Sequence, residues 1–360
     1  MKRRSFLGLG LSAAAGTATG PARAQSNATV WRMVAAWPRN APGVGVNAQR
    51  LADAITAMSD ERLTIKLYGA GELVPPFEVF DAVQNGTAEM GHTTPYYAAG
   101  KSPAFHFFTG APFGLFAHEL SAWLLFGEGR ELWREAYASF GIVPFYAGSS
   151  GVQAGGWFNR EITAPDDLKG LKFRIAGLGG EVFRKLGASV VLTPPGEIFE
   201  ALKTGAIDGA EWIGPWNDIA FGLHKATTFY YLPAFHEFGP SLELIVNRAK
   251  YEALPGDLKA IVERAALATA TESLADFTFH NIQAFANLDG SAIALRTWPA
   301  SVATALAVKT RETLLEIASR DTLSTKVFQS YETFRRKASR YARFTDDAAY
   351  KLRGLYDGGA

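Results

Sequence analysis

Residues 73–97 read LVPPFEVFDAVQNGTAEMGHTTPYY, and residues 192–216 read LTPPGEIFEALKTGAIDGAEWIGPW. Aligned without gaps, seven of the 25 positions are identical: a leucine, both prolines, a Glu, a Phe, an Ala and a Gly. Val79 aligns with Ile198, Asp81 with Glu200 and Glu89 with Asp208, all conservative pairs. Such self-similarity points to a duplicated structural unit. In each copy two prolines open a helix, where a missing amide hydrogen costs little. An amphipathic stretch follows, and a glycine sits near its end. A short apolar strand then runs into a loop of polar and aromatic residues. The repeat predicts two related α/β domains. Ligands of open α/β sheets bind beyond the carboxyl ends of the strands. Two such domains facing each other place the loops His92–Tyr97 and Glu211–Trp216 on one cleft.

The flanking sequence agrees with an alternating α/β pattern. Residues 29–37 are rich in β-branched and aromatic side chains and read as a strand. Val46, Leu51, Ala54, Ile55 and Met58 recur at near-helical spacing over residues 46–58. Residues 63–67 alternate strictly and read as a strand. The tail differs: one long Ala-rich helical pattern runs from Pro255 to Leu288, and residues 300–319 and 322–343 also read as helices. The expected division is a signal over 1–24, lobe I over 25–148 plus about 241–300, lobe II over 149–240, and C-terminal helices over about 301–360. Arg335, Arg336, Lys337, Arg340 and Arg343 form a basic cluster flanked by acidic and aromatic residues, which reads as a solvated helix face.

The chain begins with Lys2, Arg3, Arg4, Ser5, Phe6 and Leu7, a pattern that resembles a twin-arginine export signal. A weakly apolar run to Gly20 is too short to span a bilayer. Ala22-Arg23-Ala24 suits cleavage before Gln25. Removing residues 1–24 leaves 32 basic against 35 acidic residues, so the net charge moves from +1 to −3. The expected product is an exported, mildly acidic periplasmic protein with no feature that calls for nucleic acid. Of its 360 residues 48% are hydrophobic, enough for sizeable cores. The absence of cysteine excludes disulfides, thiolate metal sites and cysteine catalysis.

Signatures of catalysis are missing. There is no H-E-x-x-H, G-x-S-x-G or Walker A motif, and Gly177-Leu178-Gly179-Gly180 fails the dinucleotide fingerprint. The chain is read as a non-enzyme; a periplasmic hydrolase or lyase would need a nucleophile or base that is not visible. Two charged residues stand out. In the alternating strand 171–176, Arg174 points away from Leu171, Phe173 and Ile175. It could clamp a carboxylate through two parallel hydrogen bonds, or make a structural salt bridge. Glu211 follows an apolar segment and precedes Trp212 and Trp216, so it needs a partner. An arginine, a metal ion and ligand hydroxyls all qualify. Gln153 could add a neutral oxygen to a hard cation.

At these residues a resemblance becomes specific. The segment DDLKGLKFRIAG…KLGASVVLTPPGEIFEALKTGAIDGAEW, residues 166–212, resembles the DctP-type solute receptors of TRAP transporters. GAEWIGPWNDIAFGLHKATTFYYLPAFHEFGPSLELIVN, residues 209–247, is similar to the branch that binds 2-oxo acids such as pyruvate, or lactate. The resemblance implies a two-lobed α/β periplasmic-binding-protein fold with a ligand cleft, a long hinge-spanning helix and a helical C-terminal tail. It implies that Arg174 binds the substrate carboxylate, and that Gln153, Glu211 and the main-chain oxygen of Trp212 hold a bridging metal ion, with sodium placed ahead of calcium. Tyr96, Tyr97 and Trp216 would line the pocket. A TRAP membrane permease would be the partner, and a homodimer through the C-terminal helices is a further expectation. On this reading Arg174→Ala removes binding with little loss of folding.

Overall fold

The structure, a computed structural model, describes residues 28–356 and 358. The export signal expected over residues 1–24 lies outside the described residues. The chain first lays down β1 (Thr29–Ala35), α1 (Val44–Met58), β2 (Leu63–Tyr68), α2 (Val79–Gln84) and β3 (Met90–Thr93). Three short helices follow, α3 (Phe105–Thr109), α4 (Ala117–Phe126) and α5 (Gly129–Ala138), and then β4 (Ile142–Ser149). The second half of the repeat unit is β5 (Gly156–Phe158), β6 (Lys172–Arg174), α6 (Gly177–Lys185), β7 (Ser189–Val191), α7 (Ile198–Lys203), β8 (Gly209–Ala210), α8 (Pro215–Ala220) and β9 (Phe229–Tyr231). The chain then returns as β10 (Ser241–Asn247) and continues with α9 (Arg248–Ala253), α10 (Gly256–Leu288), β11 (Ala294–Arg296), α11 (Ala300–Ala318), α12 (Thr322–Ala342) and α13 (Asp346–Tyr356).

The strands form two sheets, ordered β2-β1-β3-β10-β4 and β11-β9-β5-β8-β6-β7. Written from β7, the second sheet repeats the first. Three parallel strands come first, β2-β1-β3 in one and β7-β6-β8 in the other. The next strand is antiparallel in both, β10 against β3 and β5 against β8. The repeated sequence segments become the same local structure. A proline-led turn enters α2 or α7, and the shared glycine ends it with positive φ, 76° at Gly86 and 72° at Gly205. A side chain at either glycine would be strained. Gly209 serves closeness instead: a Cβ there would lie 2.5 Å from the Trp157 carbonyl.

The crossing strands set the lobes. β4 leaves the first sheet at Ser149 and β5 opens the second at Gly156, while β10 returns after β9. α10 packs on β4, α1 and α8, so it touches both lobes. Two features differ from the expected division. β11, placed within lobe I by the sequence reading, pairs with β9 of the second sheet. The tail is not a separate unit either: α11 packs on α6, and α12 packs on α3, α4 and α5. Its apolar stripe supplies the reason, because Val302 and Leu306 enter the second core and Val327 and Tyr331 enter the first. Arg335 and Arg336 both pair with Glu332, as a solvated helix face does. No described helix is long and apolar enough to cross a membrane.

Glu243 of β10 is fully buried and accepts from the Tyr137 hydroxyl at 2.9 Å. Burial pushes its carboxyl up to about 8 from an ordinary value of 4.5, against the pull of the Tyr137 hydrogen bond. Between those values the native chain keeps a proton that the unfolded chain has lost. Stability therefore falls as pH rises through this window and levels off above it. Glu243→Gln should flatten this slope and gain about 2 kcal/mol on the wild type between pH 6.5 and 8. Urea unfolding at the two pH values measures it, and equal slopes for the two proteins would contradict it.

Candidate functional site

β6 and β8 are neighbouring parallel strands with Arg174 in register with Ala210. The Glu211 amide donates to the Arg174 carbonyl at 2.9 Å. Parallel pairing alone thus brings the last residue of one strand and the first after the other to the same sheet edge. Both side chains are buried, with Arg174 1% and Glu211 2% exposed. Arg174 Nη1 donates to Glu211 Oε2 at 3.0 Å and also to the Glu211 main-chain oxygen. Its Nε donates to the Thr193 carbonyl, just past β7, at 3.2 Å. The guanidinium lies 5.4 Å from the Trp212 ring centroid.

Of the readings open for Arg174, the salt bridge is therefore realised in this structure. The two parallel hydrogen bonds expected for a ligand carboxylate are not both available, because Nη1 is occupied. Nη2 remains: it is buried and makes no hydrogen bond of acceptable geometry, although the Tyr97 hydroxyl lies close to the guanidinium. The expectation that Arg174→Ala spares folding also changes, since removing one member of a buried pair strands the other charge.

Gln153 lies on the crossover from β4 to β5. Its amide donates to the Glu237 carbonyl at 3.1 Å, and its own carbonyl accepts from the Ala234 amide at 2.8 Å. The two crossing segments thereby fix each other. The Gln153 side chain donates from Nε2 to Ser150 Oγ at 3.0 Å, which turns Oε1 the other way. That oxygen is buried and has no hydrogen-bond partner. Gln153, Tyr96, Tyr97 and Trp212 line one small pocket of about 20 Å³ between the lobes, with Thr94 and Glu237, while Arg174 and Glu211 lie behind it and do not line it. Such a volume admits about one water. A ring contact joins the lobes across it, Trp37 with Trp212 at 6.4 Å, and Trp37 also packs on Tyr97 within lobe I at 5.8 Å. The lobes are closed.

Trp216 departs from expectation. It does not line the cavity; it stacks on His280 of α10 at 4.2 Å, and its amide donates to Asn281 Oδ1 at 3.0 Å. Proline-started α8 turns the ring toward the long helix.

Three polar residues were missed in the sequence. His236 Nε2 lies 3.6 Å from Glu211 Oε1, and neither ring nitrogen has a hydrogen-bond partner. Glu237 lies beside it, and ligand atoms of Glu211, His236 and Glu237 fall within 4.8 Å of one another. Burial first, and then Glu211, pushes the Glu237 carboxyl up to about 7, opposed by His236 and Arg174. The signal was present: a His-Glu pair between Phe235 and Phe238 poses the same question as Glu211 beside Trp212. Asp218 is the third. Its Oδ1 accepts from the Ile213 and Gly214 amides at 3.1 and 3.2 Å, and its Oδ2 accepts from Trp157 Nε1 at 2.9 Å and the Tyr230 hydroxyl at 2.8 Å. These four bonds hold the loop that follows Glu211 and Trp212.

The donor set fits a hard cation. Gln153 offers an unpartnered amide oxygen, Glu211 a carboxylate and Trp212 a main-chain carbonyl, and oxygen ligands suit sodium or calcium.

Comparison with known proteins places this geometry. The family described as bacterial extracellular solute-binding protein, family 7, matches residues 33–321. The monocarboxylate 2-oxoacid-binding periplasmic protein of Nostoc sp. is 38% identical over 354 residues, covering 96% of this chain and 97% of that protein. A TRAP periplasmic solute-binding protein of Pseudoalteromonas atlantica, solved with bound sodium and pyruvate, is 36% identical with a TM-score of 0.87, covering 90% of this chain and 98% of that one. One from Colwellia psychrerythraea, solved with bound calcium and pyruvate, is 34% identical with a TM-score of 0.87, covering 90% and 99%. With the matched two-sheet fold and a closed inter-lobe site, the chain belongs to the DctP family of bacterial extracellular solute-binding proteins, the receptors of TRAP transport, and is not an enzyme.

Proposed function

We propose that this receptor captures a small 2-oxo monocarboxylate, pyruvate or a near homologue, together with a cation, and delivers it to a TRAP membrane permease. The observation that carries the reading is a pair of buried, unpartnered groups, Gln153 Oε1 on the pocket and Arg174 Nη2 beside the pocket residues Tyr97 and Trp212. One is an acceptor suited to a cation and the other a cationic donor suited to a carboxylate. Gln153, Glu211 and the Trp212 main-chain oxygen would hold the cation, which supplies a positive charge facing the ligand's carboxylate and 2-oxo oxygens. Charge balance asks for it. Arg174 and Glu211 cancel, so an arriving carboxylate is an extra negative charge beside Glu237 and Glu211.

Sodium is the proposed ion, with calcium the alternative; relatives hold either. Lactate or another 2-hydroxy acid with calcium is the second ligand reading, because a hydroxyl can replace the 2-oxo oxygen. A pocket with room for about one water means that ligand enters with the lobes apart and that the lobes or pocket side chains adjust to hold it. The twin-arginine pattern supports export in the folded state to the periplasm. The lobe division offered above, with β11 reassigned, is part of the same proposal. A homodimer through the C-terminal helices is supported by an exposed apolar row, in which Tyr341, Phe344, Leu352, Leu355 and Tyr356 are each at least 68% exposed. Light scattering of the full chain should give twice the chain mass, falling to one on truncation after Arg343; a monomeric full chain would remove the dimer.

Titration calorimetry with pyruvate, 2-oxobutyrate and lactate, each with sodium, calcium or a chelator, tests the ligand. Binding should need a cation and favour the 2-oxo acids, and heat-silent titrations in every ion would end the reading. The ion pair separates stability from capture. Arg174→Met should cost about 3–5 kcal/mol of unfolding free energy by leaving Glu211 buried and unpaired. Arg174→Met with Glu211→Gln should regain most of that stability but not ligand binding. Chemical denaturation and calorimetry on the same samples read both. A double variant that binds pyruvate like the wild type would remove these residues from the site.

A further inference from the structure

Asn217 is fully buried at the start of α8 and does not line the cavity. Its Nδ2 donates across the cleft to the Pro42 carbonyl at 2.7 Å. Pro42 belongs to the loop that feeds α1 of lobe I, and the same carbonyl also accepts from the Val44 amide at 2.8 Å. The bond therefore joins the two lobes directly. On the lobe II side it is anchored by the next residue, Asp218, whose four hydrogen bonds hold the backbone of Ile213 and Gly214 and the side chains of Trp157 and Tyr230. Ile213 directly follows the Glu211–Trp212 pair. A pull on Asn217 is thus a pull on the loop that carries the site.

We infer that Asn217 is a positioning residue that latches the lobes shut, coupling the Glu211–Trp212 loop to lobe closure. The bond exists only when the lobes meet. When they part, the Pro42 carbonyl keeps the Val44 amide and gains water, and the Asn217 amide gains water. The bond therefore contributes only to the closed state, where it must also offset the burial of Asn217 Oδ1, which makes no hydrogen bond there. A contact that strengthens only the closed state slows ligand escape without speeding arrival. A neutral hydrogen bond of this kind shifts such an equilibrium by about a factor of ten or less.

The affinity arm of the test rests on the pyruvate reading; the distance arm does not. Because the chain has no cysteine, a pair introduced at exposed Glu78 and Glu197, equivalent positions of the two repeat copies, can be spin-labelled without background. Lobe-to-lobe distances are then measured by pulsed electron resonance, with and without pyruvate and sodium or calcium. Asn217→Ala should shrink the short-distance population relative to the wild type by about tenfold. Pyruvate should dissociate about tenfold faster with the association rate within twofold. The thermal midpoint of ligand-free protein should stay unchanged while that of ligand-saturated protein falls. Asn217→Leu, which keeps the approximate shape and loses the donor, should behave likewise and serves if the alanine variant does not fold. Identical distance distributions in variant and wild type, including no short population in either, would overturn the latch. So would a ligand-free midpoint that drops as far as the ligand-saturated one, which marks an ordinary structural bond. A wild type that binds no pyruvate in any ion removes the ligand reading, and the distances still decide the latch.

Discussion

The buried ion pair between Arg174 and Glu211 is the constraint on which the rest of the site depends. Two charges taken out of water carry a desolvation cost that only close geometry and further hydrogen bonds offset. Here parallel pairing of β6 with β8 supplies the geometry, and the Thr193 and Glu211 carbonyls supply further acceptors. The pair leaves the guanidinium with one uncommitted nitrogen and gives Glu211 a second face toward His236. With Arg174 and Glu211 cancelling and Glu237 beside them, a carboxylate arriving here gains from added positive charge. In the proposed mechanism a cation held by Gln153, Glu211 and Trp212 supplies it.

The duplicated fold explains why such a site exists between lobes. Each sheet presents the carboxyl ends of its parallel strands to the other, and each repeat copy contributes the loop just past its strand. From the first come Thr94, Tyr96 and Tyr97; from the second come Trp212 and Ile213, directly after Glu211. The crossing segments that carry Gln153 and Glu237 are tied to each other by backbone hydrogen bonds, so both side chains sit where the chain passes between the lobes. α10 spans both lobes, and Trp216 is spent on packing against it rather than on the pocket.

Much of this was legible in the sequence because the signals were periodic or repeated. Two prolines, an amphipathic stretch and a glycine recur at one spacing and dictate the same turn–helix–strand in both copies. Strand alternation put Arg174 on the face opposite Phe173. What was not legible depended on long-range geometry. Nothing local says that Arg174 lies against Glu211, because their contact arises from sheet order. β11 is three residues long and too short to announce which sheet it joins. His236 and Glu237 lack periodicity altogether and become site residues only through the return of the chain from β9 to β10. Asp218 and Asn217 sit in a segment whose sequence suggests only a helix start.

The central claim is that a cation sits between Gln153, Glu211 and Trp212 and meets a 2-oxo acid held by Arg174. A crystal structure of the protein with pyruvate and calcium, with anomalous data collected for the metal, tests it most directly. The account predicts one anomalous peak at the Gln153 amide oxygen, the Glu211 carboxylate and the Trp212 carbonyl, with the pyruvate carboxylate on Arg174. Pyruvate bound with no metal beside it, or a peak away from these three oxygens, would contradict it.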